Sequence, residues 1–396
     1  MTKSNFDSII PPFPRSLTPN YFTYSNNENP ESYQVHLIQS DLWEAITGEH
    51  LTPENICRLC GSINPKMFPT QASISTQYYH MAKDRQGCRY LQQKIDECSQ
   101  QERELIIDCL IPHLEELVFD QCSNYVIQKL CEYLPEGAQK KFLNFFLIDL
   151  NRIIDHQYSC RVLQKFMEHT TKENVLIIYQ ALKDNMLLIC LSPNGNHIIQ
   201  RFIEILPEKL EEMVNMIKPY VVRMVIDNCG CRVIQKLFDT YPLEKLRKLV
   251  NEILLKANDL ATNQYGNYIV QYILESGTDV DFATLLNEYK GSFYRFSIHK
   301  FASNVIEKCI RRANTEQRNN IFNEIICIGN KFNDERISQL VGDQFGNYVI
   351  QRIIEFGSKE QQNAIYNVVY NNYDILSKIS YAKHVIIRLI NLGYEF

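Results

Sequence analysis

What most constrains this chain is a recurrence. The stretch DNCGCRVIQKLF that begins at Asp227 returns as NQYGNYIVQYIL from Asn263 and as DQCSNYVIQKLC from Asp120. With the residue after the turn taken as position zero, the frame begins at Cys88, Asn124, Cys160, Asn196, Cys231, Asn267, Ser303 and Asn347, at intervals of 36, 36, 36, 35, 36, 36 and 44 residues. Eight copies at one period define an array whose units bury their apolar faces against their neighbours. A chain of 396 residues is also longer than one ordinary compact core. About eight extra residues separate the seventh and eighth copies.

Each copy reads as helix, turn, helix. Turn residues such as those at 192–195 and 264–266 lead into an apolar helix, and a second helix follows, often opened by proline at Pro135, Pro207 and Pro242. In that second helix Leu210, Met213, Val214 and Ile217, and again Leu246, Leu249, Val250 and Ile253, follow the i, i+3, i+4, i+7 spacing of one buried face. The expected fold is all-α, a curved, right-handed α-solenoid of eight repeats of about 36 residues with terminal caps.

Within the frame, offsets +2, +3, +6 and +7 are nearly always apolar, as in Val233, Ile234, Leu237 and Phe238. At about 100° per residue they fall at about 200°, 300°, 240° and 340°, one core-facing arc. Offsets 0, +1, +4 and +5 fall at about 0°, 100°, 40° and 140° and are expected to point away from the core. That stripe is restricted beyond what solvation requires. Offset 0 is only Asn, Cys or Ser; offset +4 is Gln seven times and Glu once; offset +1 is Arg, Tyr, His or Asn.

Those residue types suit unpaired bases. Flat groups at +1, namely Arg89, Tyr125, Arg161, His197, Arg232, Tyr268 and Tyr348, can stack on bases. Offsets 0 and +4 lie one turn apart and can grip a base edge. Gln offers a donor and an acceptor and suits the mixed edges of uracil and adenine, whereas an ionised Glu307 only accepts and suits the two adjacent donors of guanine. Asn at offset 0 is expected to donate to uracil O2, and a small Cys or Ser to leave room for a purine.

The eight copies resemble the Pumilio homology domain of PUF proteins. The resemblance rests on Cys88, Arg89 and Gln92; Asn124, Tyr125 and Gln128; Cys160, Arg161 and Gln164; Asn196, His197 and Gln200; Cys231, Arg232 and Gln235; Asn267, Tyr268 and Gln271; Ser303, Asn304 and Glu307; and Asn347, Tyr348 and Gln351. It runs from about residue 66 to the end, and the stretch from Ala382 to Ile386 looks like the family's C-terminal capping half-repeat. It implies one base per repeat, read antiparallel, so that copies eight to one specify 5′-UGUAUAUA-3′. It also implies mRNA 3′ untranslated regions as targets, and post-transcriptional repression or decay through deadenylase or translational-repressor partners on the convex face. This sequence departs from the family pattern at Asn304, a poorer stacking surface, and at Cys88, where serine is common.

The formal net charge of −5 argues globally against a nucleic-acid partner. Locally, offset +5 supplies Lys129, Lys165, Arg201, Lys236, Lys308 and Arg352, a stripe that could accompany phosphates. No nucleophile with an adjacent base and no metal-ligand cluster stands out, so an enzyme is not expected and neither is a cofactor or metal. Cys57 and Cys60 form a lone CxxC read as ordinary thiols, and the thirteen cysteines suit a reducing, cytoplasmic setting. No secretory signal opens the chain and no apolar run approaches the roughly 20 residues of a membrane span, so a soluble monomer is expected. Residues 1–40, with Pro11, Pro12 and Pro14 and an Asn-rich stretch, read as a disordered arm, 41–70 as an N-terminal cap, and 71–396 as the repeat domain. The competing reading is a protein-interaction scaffold, which explains the period but not the restricted stripe.

Overall fold

The apolar offsets +2, +3, +6 and +7 place a wide hydrophobic arc on every reading helix, and that arc needs neighbours on more than one side to be covered. The computed structural model describes residues 71–329 and 331–396. The arm at 1–40, the cap at 41–70 and Cys57 and Cys60 lie outside the described residues. Ser75–Phe396 form one compact unit, an α-solenoid in which the reading helices of the eight repeats pack side by side in a single row. These helices are Arg85–Glu97, Ser123–Cys131, Ser159–His169, Asn196–Ile205, Gly230–Thr240, Gly266–Ser276, Ala302–Arg312 and Gly346–Phe356. The predicted core offsets are buried in repeats two to eight, Val233, Ile234, Leu237 and Phe238 among them, whereas in the first repeat Leu91 and Ile95 are buried and Tyr90 and Lys94 only half-buried.

Behind the row run the second helices, for example Glu136–Ile148 and Asp279–Tyr289. Leu210, Met213, Val214 and Ile217 are buried as the spacing predicts, as are Leu249, Val250 and Ile253. Pro135 is the N-cap of its helix, and Pro207 opens a 3-10 turn before Leu210. The helix–turn–helix expectation is one element short. Each reading helix is preceded by a further helix, usually brief, such as Leu114–Phe119, Leu150–Asp155, Val221–Val225 or Phe293–Ser297. Five or six residues are too few to display a helical period, which hid these elements in the sequence.

The run Lys172–Leu191 is helical over 20 residues and is long and apolar enough to cross a membrane by length and composition. This corrects the expectation that no apolar run approaches that length. On one face Val175, Ile178, Tyr179, Leu182, Met186, Ile189 and Cys190 are buried, while Ile177 and Leu188 are exposed, and a 3-10 turn at Lys183–Asn185 interrupts the run. It is a core element of the solenoid.

The insertion between repeats seven and eight is an antiparallel hairpin, Cys327–Ile328 with Lys331–Phe332, whose turn uses Gly329 at φ +61°. At the C-terminal end Ser380–Ile390 packs on the reading helix of repeat eight and buries Ala382, Val385, Ile386 and Leu389.

Candidate nucleic-acid interface

Every reading helix is set in place by a local device. The residue four before position zero is Asp84, Asp120, His156, Ser192, Asp227, Asn263, His299 or Asp343. Its side chain accepts from backbone N–H groups two or three residues on, as Asp227 Oδ1 does from Cys229 N at 2.8 Å and Gly230 N at 2.7 Å. This is the turn chemistry of Asp, Asn and Ser, with His Nδ1 as an alternative acceptor. The residue just before position zero is Gly, Ser or Ala. A Cβ at Gly230 would lie 2.7 Å from the Met224 carbonyl oxygen, so the helix start rests against the preceding short helix. Where serine stands there, its hydroxyl donates to the equivalent carbonyl: Ser123 to Leu117 at 2.8 Å and Ser159 to Ile153 at 2.7 Å.

Offset 0 departs from the expectation that it points away from the core. Cys88, Asn124, Cys160, Asn196, Cys231, Asn267, Ser303 and Asn347 are all at most 5% exposed. An angle on one helix ignores the two flanking helices of the row, which cover part of the stripe. In the four Asn repeats the amide is fully engaged. Asn267 Nδ2 donates to the Asn263 and Gln264 carbonyls at 2.8 and 3.1 Å, and its Oδ1 accepts from Gln271 Nε2 at 2.8 Å. Asn124, Asn196 and Asn347 repeat the arrangement with Gln128, Gln200 and Gln351 at 2.8, 2.9 and 3.2 Å. Both Asn hydrogens are therefore occupied in this structure, so the expected donation from Asn to uracil O2 would have to displace one of these carbonyl contacts. Asn fixes the rotation of the Gln amide, whose Oε1 and second N–H remain as an acceptor and a donor.

In two of the three Cys repeats the Gln amide takes a main-chain carbonyl instead, Gln92 to Cys88 O at 3.2 Å and Gln164 to Cys160 O at 3.1 Å. Burial pushes the thiols of Cys88, Cys160 and Cys231 up to about 11, so they are neutral and compact at pH 7. Among the described residues no group of His, Cys, Asp or Glu is arranged to hold a metal ion.

Offset +1 is the outer position. Tyr125, Tyr268 and Tyr348 are 42–50% exposed; Arg89 and Asn304 are exposed, and Arg161, His197 and Arg232 half-buried. Burial, and then the charges of Arg161, Arg232 and Arg201, lower the His197 pKa to about 4. His197 thus presents a neutral ring between two cationic planes.

The +5 cations do not stand free. Lys129 pairs with Asp96 at 2.6 Å and Glu132 at 2.7 Å, Lys165 with Glu132 and Glu168 at 3.3 and 3.4 Å, and Arg201 with Glu168 and Glu204 at 2.7 and 2.5 Å. Lys236 reaches Glu204, and Lys308 reaches Glu275. The result is an ion-pair ladder from repeat to repeat, built with the acidic residue at offset +8. That residue is Asp or Glu in seven copies, a signal legible in the sequence but not used there. In this structure these cations are thus already neutralised in part by carboxylates that link neighbouring repeats. The ladder lacks a rung between repeats five and six, where offset +5 is Tyr272, whose hydroxyl donates to the Phe238 carbonyl at 2.6 Å. Packing between reading helices is also thinnest at that junction.

The profile of the Pumilio-family RNA binding repeat matches eight segments, 77–111, 113–143, 156–182, 185–217, 220–254, 256–288, 292–326 and 336–369. Pumilio homolog 12 of Arabidopsis thaliana is 29% identical over 330 residues, covering 82% of this chain and 54% of that protein. Pumilio homolog 11 of the same plant is 33% identical over 278 residues, covering 69% and 48%. The chain spans about half the length of these curated relatives. Among solved structures, PUF-8 in complex with PBE-RNA matches at a TM-score of 0.71 and 25% identity, over 86% of this chain and 99% of that one. The Puf3 RNA-binding domain bound to a Cox17 RNA 3′ UTR recognition sequence matches at 0.69 and 27%, over 81% and 96%.

Proposed function

The chain belongs to the Pumilio family of RNA-binding repeat proteins, and from that premise we propose that it binds single-stranded RNA sequence-specifically, one base per repeat, with repeat eight on the 5′ base. The preferred element on this reading is 5′-UGUAUAUA-3′ in mRNA 3′ untranslated regions. The outcome is repression or decay of the bound message in the cytoplasm, by a monomer that recruits deadenylase or repressor proteins.

The observation that carries the reading is the repeated grip. Four copies share one hydrogen-bond pattern between Asn and Gln, three replace Asn by a neutral thiol, and one replaces Gln by the carboxylate of Glu307. Uracil presents one N–H between two carbonyl oxygens, which a Gln amide of fixed rotation meets with one acceptor and one donor. Guanine presents two adjacent donors, which a carboxylate accepts together. A scaffold that bound only proteins would require neither the pattern nor its single exception.

Ser303→Asn with Glu307→Gln gives repeat seven the polar pair of Asn267 and Gln271. The double variant is expected to prefer 5′-UUUAUAUA-3′ over 5′-UGUAUAUA-3′ in competition binding, a reversal of about 1–3 kcal/mol in each direction. A folded double variant that keeps its guanine preference overturns the reading. Absence of RNA binding by the parent at low salt leaves the scaffold.

A further inference from the structure

Repeat seven breaks the ladder in its own way. Its offset +8 is Arg311, where the other copies carry an acid. The +5 cation of repeat eight, Arg352, therefore has no carboxylate at the usual place on repeat seven. It pairs with Glu355 on its own helix and extends to the carboxylate of Glu307, with Nε 3.5 Å from Oε2. None of the other ladder pairs described above reaches a base-reading position. The two side chains are 19% and 18% exposed. Arg352 Nε is the one buried side-chain nitrogen among the described residues without a hydrogen-bond partner.

We propose that Arg352 of repeat eight is a positioning residue for the base read by repeat seven: it holds the Glu307 carboxylate ionised and aimed, and so makes the guanine preference. This rests on the reading of repeat seven given above. The chemistry follows from what Glu307 becomes without it. A protonated glutamic acid carries one O–H donor and one carbonyl acceptor, the same pair as a glutamine amide. Beside the small Ser303 it would meet adenine, donating to N1 and accepting from the N6 amine, and would lose one of its two bonds to guanine.

The surroundings make this choice a close one. Burial pushes the Glu307 carboxyl above its usual range, against the lowering charges of Arg352 and then Arg311, while Glu355 raises it further. On its own helix Lys308 is directed to Glu275 of repeat six, and on repeat eight Glu355 is shared with Arg388 of the terminal helix. Arg352 is thus the cation nearest the carboxylate, and its removal moves the protonation of Glu307 to higher pH.

The test is competition binding of two RNAs, 5′-UGUAUAUA-3′ and 5′-UAUAUAUA-3′, measured between about pH 5.5 and pH 8 with the parent, R352Q, R352K and E307Q. R352Q is expected to lower the guanine-over-adenine ratio about tenfold or more near pH 6, with recovery as pH rises past the shifted carboxyl pKa. R352K, which keeps a charge, restores part of the ratio; E307Q prefers adenine at every pH and is indifferent to an added R352Q. Thermal unfolding of each variant reports folding separately. Equal weakening of both RNAs at all pH values in R352Q would reduce Arg352 to a ladder cation and overturn the proposal, as would a ratio unchanged from the parent. A parent that does not distinguish the two RNAs would sink the reading of repeat seven itself, and the proposal with it.

Discussion

Tyr268 leaves its ring open to solvent while Asn267 and Gln271 beneath it are almost fully buried, so stacking and edge recognition can be separated by mutation. Tyr268→Ala is expected to weaken binding of the matched RNA about 5- to 150-fold, the equivalent of roughly 1–3 kcal/mol for one stacked base, with the uracil preference of that repeat intact. Fluorescence anisotropy decides it, and a folded variant with parental affinity would show that no base is sandwiched there. Asn267→Cys acts on the other part of the grip. It removes the acceptor that fixes the Gln271 amide, and the third base of the site should shift from uracil toward adenine in the same assay. His197 gives a pH-dependent prediction. Its folded pKa is lowered to about 4 by burial and by three arginines, against about 6.5 in an unfolded chain. Between these values the unfolded state binds the extra proton, so stability rises with pH and is lost as pH falls below about 6.5. Acidification should lower the melting temperature, and His197→Phe should make the drop smaller; an equal drop in both would place the effect on other groups. The residue types of the grip were legible in the sequence because eight copies restrict them in parallel. Their hydrogen bonds were not, because the burial of offset 0 is imposed by flanking helices that a single helical projection does not contain.

At the scale of the elements, the period announced the solenoid, and the second helices follow their apolar spacing. The short helices before each reading helix escaped notice, yet they are what the reading helix leans on. Gly230 touches the Met224 backbone, whereas nothing lies within 4 Å of a Cβ built on Gly137 in the helix Glu136–Ile148. Two glycine-to-alanine variants should therefore move in opposite directions. Gly137→Ala is expected to stabilise by about 0.4–1 kcal/mol through the unfolded chain. Gly230→Ala, which must push two backbones apart, should destabilise by about 1 kcal/mol or more. Urea denaturation of both measures the contrast, and equal effects would mean that the close approach is not maintained in solution.

Across the whole molecule, the paired state of the +5 cations bears on how salt acts. Six free cations on phosphates would give a slope of log affinity against log salt of about −4, at roughly −0.7 for each single-strand contact. With Lys129, Lys165 and Arg201 each bridging two carboxylates, the slope is expected to be clearly shallower. A measured slope of about −4 or steeper would return these residues to the phosphates. The missing rung beside Tyr272 makes the junction of repeats five and six the expected place for the array to open first, with amide exchange fastest at that boundary. Glu307 has a consequence at this scale as well. On the proposed reading, repeats six to one specify an alternation of uracil and adenine, a pattern that superimposes on itself after a shift of two nucleotides. An RNA threaded along such a surface would have several nearly equivalent alignments, and the bound population would be divided among them. One carboxylate among seven glutamines removes that degeneracy: it gives the message an origin from which the other bases are counted, and turns a periodic groove into a ruler with a zero mark.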